Sequence, residues 1–103
     1  MKKIIDGKRY DTETATFIGC DGNGLSGRDF RNEEETLYKT ASGQYFILGE
    51  GGPMSKYATR VGNNYTGGTQ LVPIGREEAF DWAQEHLSAK ETEAEFSDLI
   101  QEA

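Results

Sequence analysis

ETLYKTASGQYFIL, residues 35–48, is the stretch on which the fold turns. Residues 35–40, ETLYKT, and 44–48, QYFIL, carry aromatic and β-prone side chains on either side of Ala41-Ser42-Gly43. Such side chains suit a pleated, packed surface, and a small turn containing glycine lets the chain reverse. The stretch therefore predicts an antiparallel hairpin. Tyr45–Leu48 is an unbroken apolar run, which predicts a central strand covered on both faces.

Downstream, residues 69–74, TQLVPI, predict a further strand. Pro73 has no N–H to donate to a ladder, so this strand belongs at an edge or ends there. Upstream, residues 2–10, KKIIDGKRY, set Asp6-Gly7 between two short extended runs. Asp-Gly is a strong two-residue hairpin signal because both positions must tolerate positive φ. Residues 11–18, DTETATFI, predict a short helical turn, with Asp11 or Thr12 as N-cap and Glu13 in the first turn. Residues 19–32 hold four glycines and predict a loop.

The last third reads as helix. In Arg76–Leu87, Phe80, Ala83 and Leu87 form one stripe with Ala79, Trp82 and His86 beside it, while Glu77, Asp81 and Glu85 fall on the opposite side. Ser88 with Glu91 three positions on forms a capping box opening a second helix, Ala89–Gln101. There Thr92, Phe96, Leu99 and Ile100 form an apolar stripe, and Glu91, Glu95, Asp98 and Glu102 an acidic one.

The expected class is α+β: an antiparallel sheet of about four or five strands, built from the two hairpins and Gln70–Ile74, packed by the C-terminal helices. A single domain, 1–103, divides into a mainly β region with a glycine-rich loop (1–75) and an acidic helical region (76–103). Phe80, Trp82, Ala83, Leu87, Phe96 and Leu99 are the expected helix side of the core, with Phe46, Leu48 and Leu71 facing them from the sheet.

Charge is unevenly placed. Residues 1–75 hold nine acidic and nine basic side chains, whereas residues 76–103 hold nine acidic and two basic ones, so the helical region carries the whole net charge of −7. That argues against a duplex-binding role for this region, since phosphate attraction requires cations, and permits a basic partner. No apolar run approaches membrane-spanning length, and MKKIIDGK has no apolar h-region. Cys20 is the only cysteine, so no internal disulfide forms. These features predict an intracellular protein without a membrane partner.

Residues 49–60, GEGGPMSKYATR, superficially suggest a phosphate loop. A Walker loop needs G-x-x-x-x-G-K-[ST] entering a helix, and here the spacing is wrong and Pro53 interrupts. The stretch reads instead as a corner whose glycines adopt conformations other residues avoid, with a weaker reading in which Ser55, Lys56 and Arg60 hold a phosphate. Arginines and tyrosines of the first 75 residues are interleaved, a pattern that also serves single-stranded RNA; Arg28, Arg31, Lys56 and Arg60 are the candidate nucleic-acid contacts. His86 is the only histidine, so no zinc cluster is expected; it reads as a packed or capping side chain, and Cys20 as a small loop residue. Glu77 and Asp81 are spaced as Mg²⁺ ligands can be, but solvated helix surface is the commoner meaning. No cofactor, metal or catalytic residue is predicted.

MKKIIDGKRYDTETA, LYKTASGQYFILGEGGPMSKYA and EEAFDWAQEHL together resemble small proteins carried by plasmids, prophages and conjugative elements of Gram-positive bacteria. Within that group the chain resembles the type II-A anti-CRISPR proteins, inhibitors of Cas9, over roughly residues 1–87. The resemblance implies a cytoplasmic protein of the bacterial host that binds Cas9 and hinders guide-RNA assembly or nucleic-acid access. Cas9 holds guide RNA and target DNA in basic channels, which an acidic protein can contest electrostatically. On that reading the candidate partner-binding residues are Glu77, Asp81, Glu85, Glu91, Glu95, Asp98 and Glu102. The alternatives are an RNA-directed enzyme that truncates guide RNA, and a mobile-element accessory protein with another host target.

Overall fold

A computed structural model describes residues 1–103. In chain order the elements are β1 (Lys2–Ile5), β2 (Lys8–Asp11), β3 (Thr16–Gly22), β4 (Glu33–Lys39), β5 (Tyr45–Gly51), β6 (Thr59–Val61), β7 (Asn64–Thr66), β8 (Gly68–Ile74), α1 (Arg76–His86) and α2 (Ala89–Phe96), then a 3-10 turn at Ser97–Leu99. The protein is α+β. Four antiparallel strands form a sheet in the order β3-β4-β5-β8, and β1–β2 and β6–β7 are separate two-stranded ribbons.

The 35–48 hairpin is the centre of the sheet. Tyr45, Phe46 and Ile47 are consecutive and all buried. The pleat sends neighbours to opposite faces, so three buried residues in a row require cover on both. On one face Leu37, Tyr45 and Ile47 pack against Ala79, Ala83 and Phe96 of the helices. On the other, Phe46 and Leu71 pack against Tyr10, whose ring meets that of Phe46 edge-on with centroids 5.6 Å apart. Cover for the second face thus comes from the β1–β2 ribbon, whose turn has Asp6 at φ 51° and Gly7 at φ 75°. Pro73 sits on the edge strand β8, where its missing N–H leaves no gap in the sheet.

Four expectations need correction. The first hairpin lies over the sheet instead of joining it, and the fourth strand is β3. Residues 11–18 are not helical: Asp11 closes a turn by accepting from the N–H groups of Glu13 and Ala15, both at 3.0 Å, and Thr16, Phe17 and Ile18 then enter β3. β-branched and aromatic side chains favour that extended course, and the strand continues through Cys20 to Gly22, taking in part of the expected loop. Phe46, Leu48 and Leu71 do not meet the helices, because alternation puts them on the ribbon face. Finally, α2 ends at Phe96, which leaves helical geometry (φ −121°, ψ 27°), so Leu99 lies outside the core and is exposed.

The glycines after Leu48 also act differently from the expectation. β5 runs on through Gly51, and none of Gly49, Gly51 or Gly52 has positive φ. They are required by space. A Cβ on Gly49 would strike the Tyr57 ring, and one on Gly51 or Gly52 would strike Ser55 and the carbonyl oxygens of Asn32 and Phe30.

Candidate functional site: an acidic helical face and a polar cleft

The helical layer has two kinds of carboxylate. Glu77, Asp81 and Glu85 recur once per turn along the exposed side of α1, opposite the buried Ala79 and Ala83. No lysine or arginine pairs with this row; His86 Nε2 lies 3.8 Å from Glu85 Oε2, and Gln84 Nε2 donates to Asp81 at 3.4 Å. The expected stripe on α2 is different in character, because most of its members bind within the chain. Glu91 completes the capping box, its N–H donating to Ser88 Oγ at 3.1 Å while its carboxylate accepts from the Ser88 N–H at 3.2 Å. Glu95 is half-buried against the sheet, accepting from the Tyr45 hydroxyl and from Lys39 Nζ at 2.9 Å. Asp98 takes two hydrogen bonds from the Arg76 guanidinium, at 2.7 and 2.6 Å. Glu102 is exposed.

These pairings shift ionisation. The Arg76 hydrogen bond holds the Asp98 carboxyl below its usual range, and Asp98 in turn raises Arg76. Glu95 raises the Lys39 ammonium, while burial and then Glu95 push the Tyr45 phenol up. Of the two cations in the helical region Arg76 is thus occupied by Asp98, leaving Lys90 against a large acidic excess.

At the C-terminal end of α1 lies a second feature, a polar cleft of about 170 Å³ lined by Asp21, Asn23, Glu33, Glu35, Lys56 and His86. Strand pairing builds it. Asp21 of β3 lies opposite Glu35 of β4, and Glu35 opposite Gly49 of β5, so one row crosses the sheet on the helix face. Glu35 accepts from the Tyr57 hydroxyl and from Trp82 Nε1 at 3.2 Å, and pairs with Lys56 Nζ at 3.1 Å. Burial alone would raise its pKa, but the Tyr57, Trp82 and Lys56 donors outweigh burial and lower it. His86 lies 4.9 Å from Trp82, ring centroid to centroid, and its Nδ1 is 3.0 Å from Asp21 Oδ2. That hydrogen bond lowers Asp21. No group of three or more His, Cys, Asp or Glu side chains converges with metal-binding geometry.

The cleft was missed in the sequence, although its signal was present: Glu35 shares alternation with Leu37, an inward position that demands partners. The basic candidates are not drawn into one strip. Arg28 is exposed on the loop after β3, Arg31 pairs with Asp29 at 3.2 Å, Lys56 belongs to the cleft, and Arg60 donates to the Gly62 carbonyl at 3.0 Å. Cys20 is exposed within β3, not in a loop.

No family model, curated protein or solved structure matches the chain.

Proposed function

We propose that the protein is a binding protein that inhibits Cas9, occupying a basic surface and so hindering guide-RNA assembly or nucleic-acid access. The observation that carries this reading is the exposed row Glu77, Asp81 and Glu85, which no lysine or arginine of the chain pairs, on the most acidic part of the chain. Such a row attracts a cationic surface and repels nucleic acid, and contact alone suffices for inhibition. The resemblance supplies the partner and the charge supplies the means of recognition. The test is a pull-down with apo Cas9 and with guide-loaded Cas9. Retention by apo Cas9, weakened once guide is loaded, supports competition for the guide site. Retention by neither form overturns the reading.

The cleft favours one second reading, an RNA-directed enzyme that truncates guide RNA, because it gathers His86, Asp21, Glu35 and Lys56, side chains able to move protons. Incubation with guide RNA and a denaturing gel decide it. Shorter products lost in His86→Ala support the enzyme; intact RNA removes it.

A further inference from the structure

Beside the acidic row lies an apolar groove of about 580 Å³, bounded by α1, α2 and the segment after the 3-10 turn, and lined chiefly by Phe80, Leu87, Ala89, Thr92, Leu99 and Ile100. Its size is that of pockets that take a large side chain or a small ligand. It exists because α2 stops at Phe96. Leu99 and Ile100 continue the apolar stripe of Thr92 and Phe96, yet they remain 36% and 39% exposed, whereas Phe96 is fully buried. The stripe therefore extends past what this chain covers.

We propose that this groove seats an aliphatic or aromatic side chain of a basic, amphipathic partner segment. Charge selects that occupant. Glu93 lines the groove, and Gln84 on its wall donates to Asp81 at 3.4 Å, which places the acidic row of α1 along one side. A second copy would bring one strongly acidic layer against another, and an acidic peptide or nucleic acid would be repelled in the same way. A segment with Lys or Arg flanking an apolar anchor satisfies both the groove and its rim. The proposal rests on the helical layer being the contact face, as in the preceding reading, but not on the partner being Cas9.

The probe is a fluorescent synthetic peptide of Leu and Lys, with leucines at helical spacing and about four turns long, titrated into the full chain and read by anisotropy. Saturable binding is expected, falling severalfold as the Debye length shrinks from about 10 Å to about 3 Å between 0.1 and 1 M salt. Leu99→Ser with Ile100→Ser leaves the charge unchanged and should weaken binding about tenfold, the loss expected when an anchor's apolar contacts go. Amide shift mapping of the wild-type chain provides a second measurement: peptide-induced shifts should centre on Leu87, Ala89, Leu99 and Ile100. Absent binding, undiminished binding by the double variant, equal binding of a peptide with Ser replacing every Lys, or shifts confined to other surfaces overturns the proposal. So does a dimer in sedimentation that the double variant abolishes. Peptide binding without Cas9 binding would uphold the groove and reject Cas9; Cas9 binding unaffected by the double variant, with no peptide binding, would do the reverse.

Discussion

Gly49→Ala tests how the corner after β5 is fitted to the sheet. Gly49 lies between Glu35 and Gln70 on the helix face, and a Cβ there would fall well under 3.0 Å from Cζ and Cε1 of Tyr57. The backbone does not forbid alanine, since φ is not positive, so only the ring resists. Tyr57 is 8% exposed and its hydroxyl is bound to Glu35, so the ring cannot swing aside freely. Displacing it forfeits up to about 1.5–3 kcal/mol of apolar burial and about 1.5–3 kcal/mol for a hydrogen bond to a charged group. A net loss of about 3 kcal/mol or more follows. In a domain near 100 residues each kcal/mol moves Tm by about 4–8 °C, which predicts a fall of about 12 °C or more, read by circular dichroism melting. In a Tyr57→Ala background, the same Gly49→Ala change should be nearly neutral, because the obstruction is gone. A single variant melting within about 2 °C of wild type, the range of an innocuous surface change, refutes the reasoning. Full additivity with Tyr57→Ala refutes it equally.

Two further perturbations separate the carboxylates by their partners. Reversing Glu77, Asp81 and Glu85 to lysine should leave the melt nearly unchanged and weaken retention on Cas9 in a salt-dependent way, whereas reversing Glu91, Glu95 and Asp98 should destabilise the fold because all three are bound internally; equal melts for the two triple variants would contradict the assigned pairings. Stability against pH should fall at both ends: carboxyls of Asp21, Glu35 and Asp98 are lowered in the fold, so their contribution is present above the ordinary carboxylate pKa of about 4 and disappears as pH falls through the folded values. Phenols of Tyr45 and Tyr57 are raised, so stability is lost as pH climbs above about 10, and Tyr57→Phe should flatten that alkaline limb in Tm measurements; a steeper limb would show the sign to be wrong.

Elements specified by short-range chemistry were legible. Asp6-Gly7 needs positive φ at both positions, Ser88 and Glu91 cap each other, and Pro73 cannot sit inside a sheet; each yields its feature without reference to distant residues. β3 was not legible, because the turn chemistry of Asp11 resembles a helix start and nothing local reveals that Thr16–Gly22 will pair with β4. The face assignment of Phe46, Leu48 and Leu71 failed for the same reason. Alternation states that Phe46 and Ile47 point apart, but not which of them the helices will cover.

The site follows the same division. Four-residue spacing revealed two acidic rows, yet it is silent about cations arriving from elsewhere in the chain. Lys39 and Tyr45 lie on neighbouring strands opposite one another and converge on Glu95, and Arg76, at the start of α1, reaches Asp98 beyond α2. The α2 row therefore holds the helical layer to the sheet and to itself. Apart from the exposed Glu102, its carboxylates are not free to meet a partner unless those bonds break, and breaking them leaves Glu95 half-buried without compensation. No cation from the sheet or from α2 holds Glu77, Asp81 and Glu85: they face solvent from a helix whose inner side is fixed by Ala79 and Ala83. On the proposed reading, an incoming cationic surface would meet a row that no lysine or arginine neutralises, with the apolar groove beside it and only the long Gln84–Asp81 and His86–Glu85 contacts, at 3.4 and 3.8 Å, to give up. On the proposed reading that asymmetry favours contact at α1 and the groove, and it is why the two triple reversals should part company.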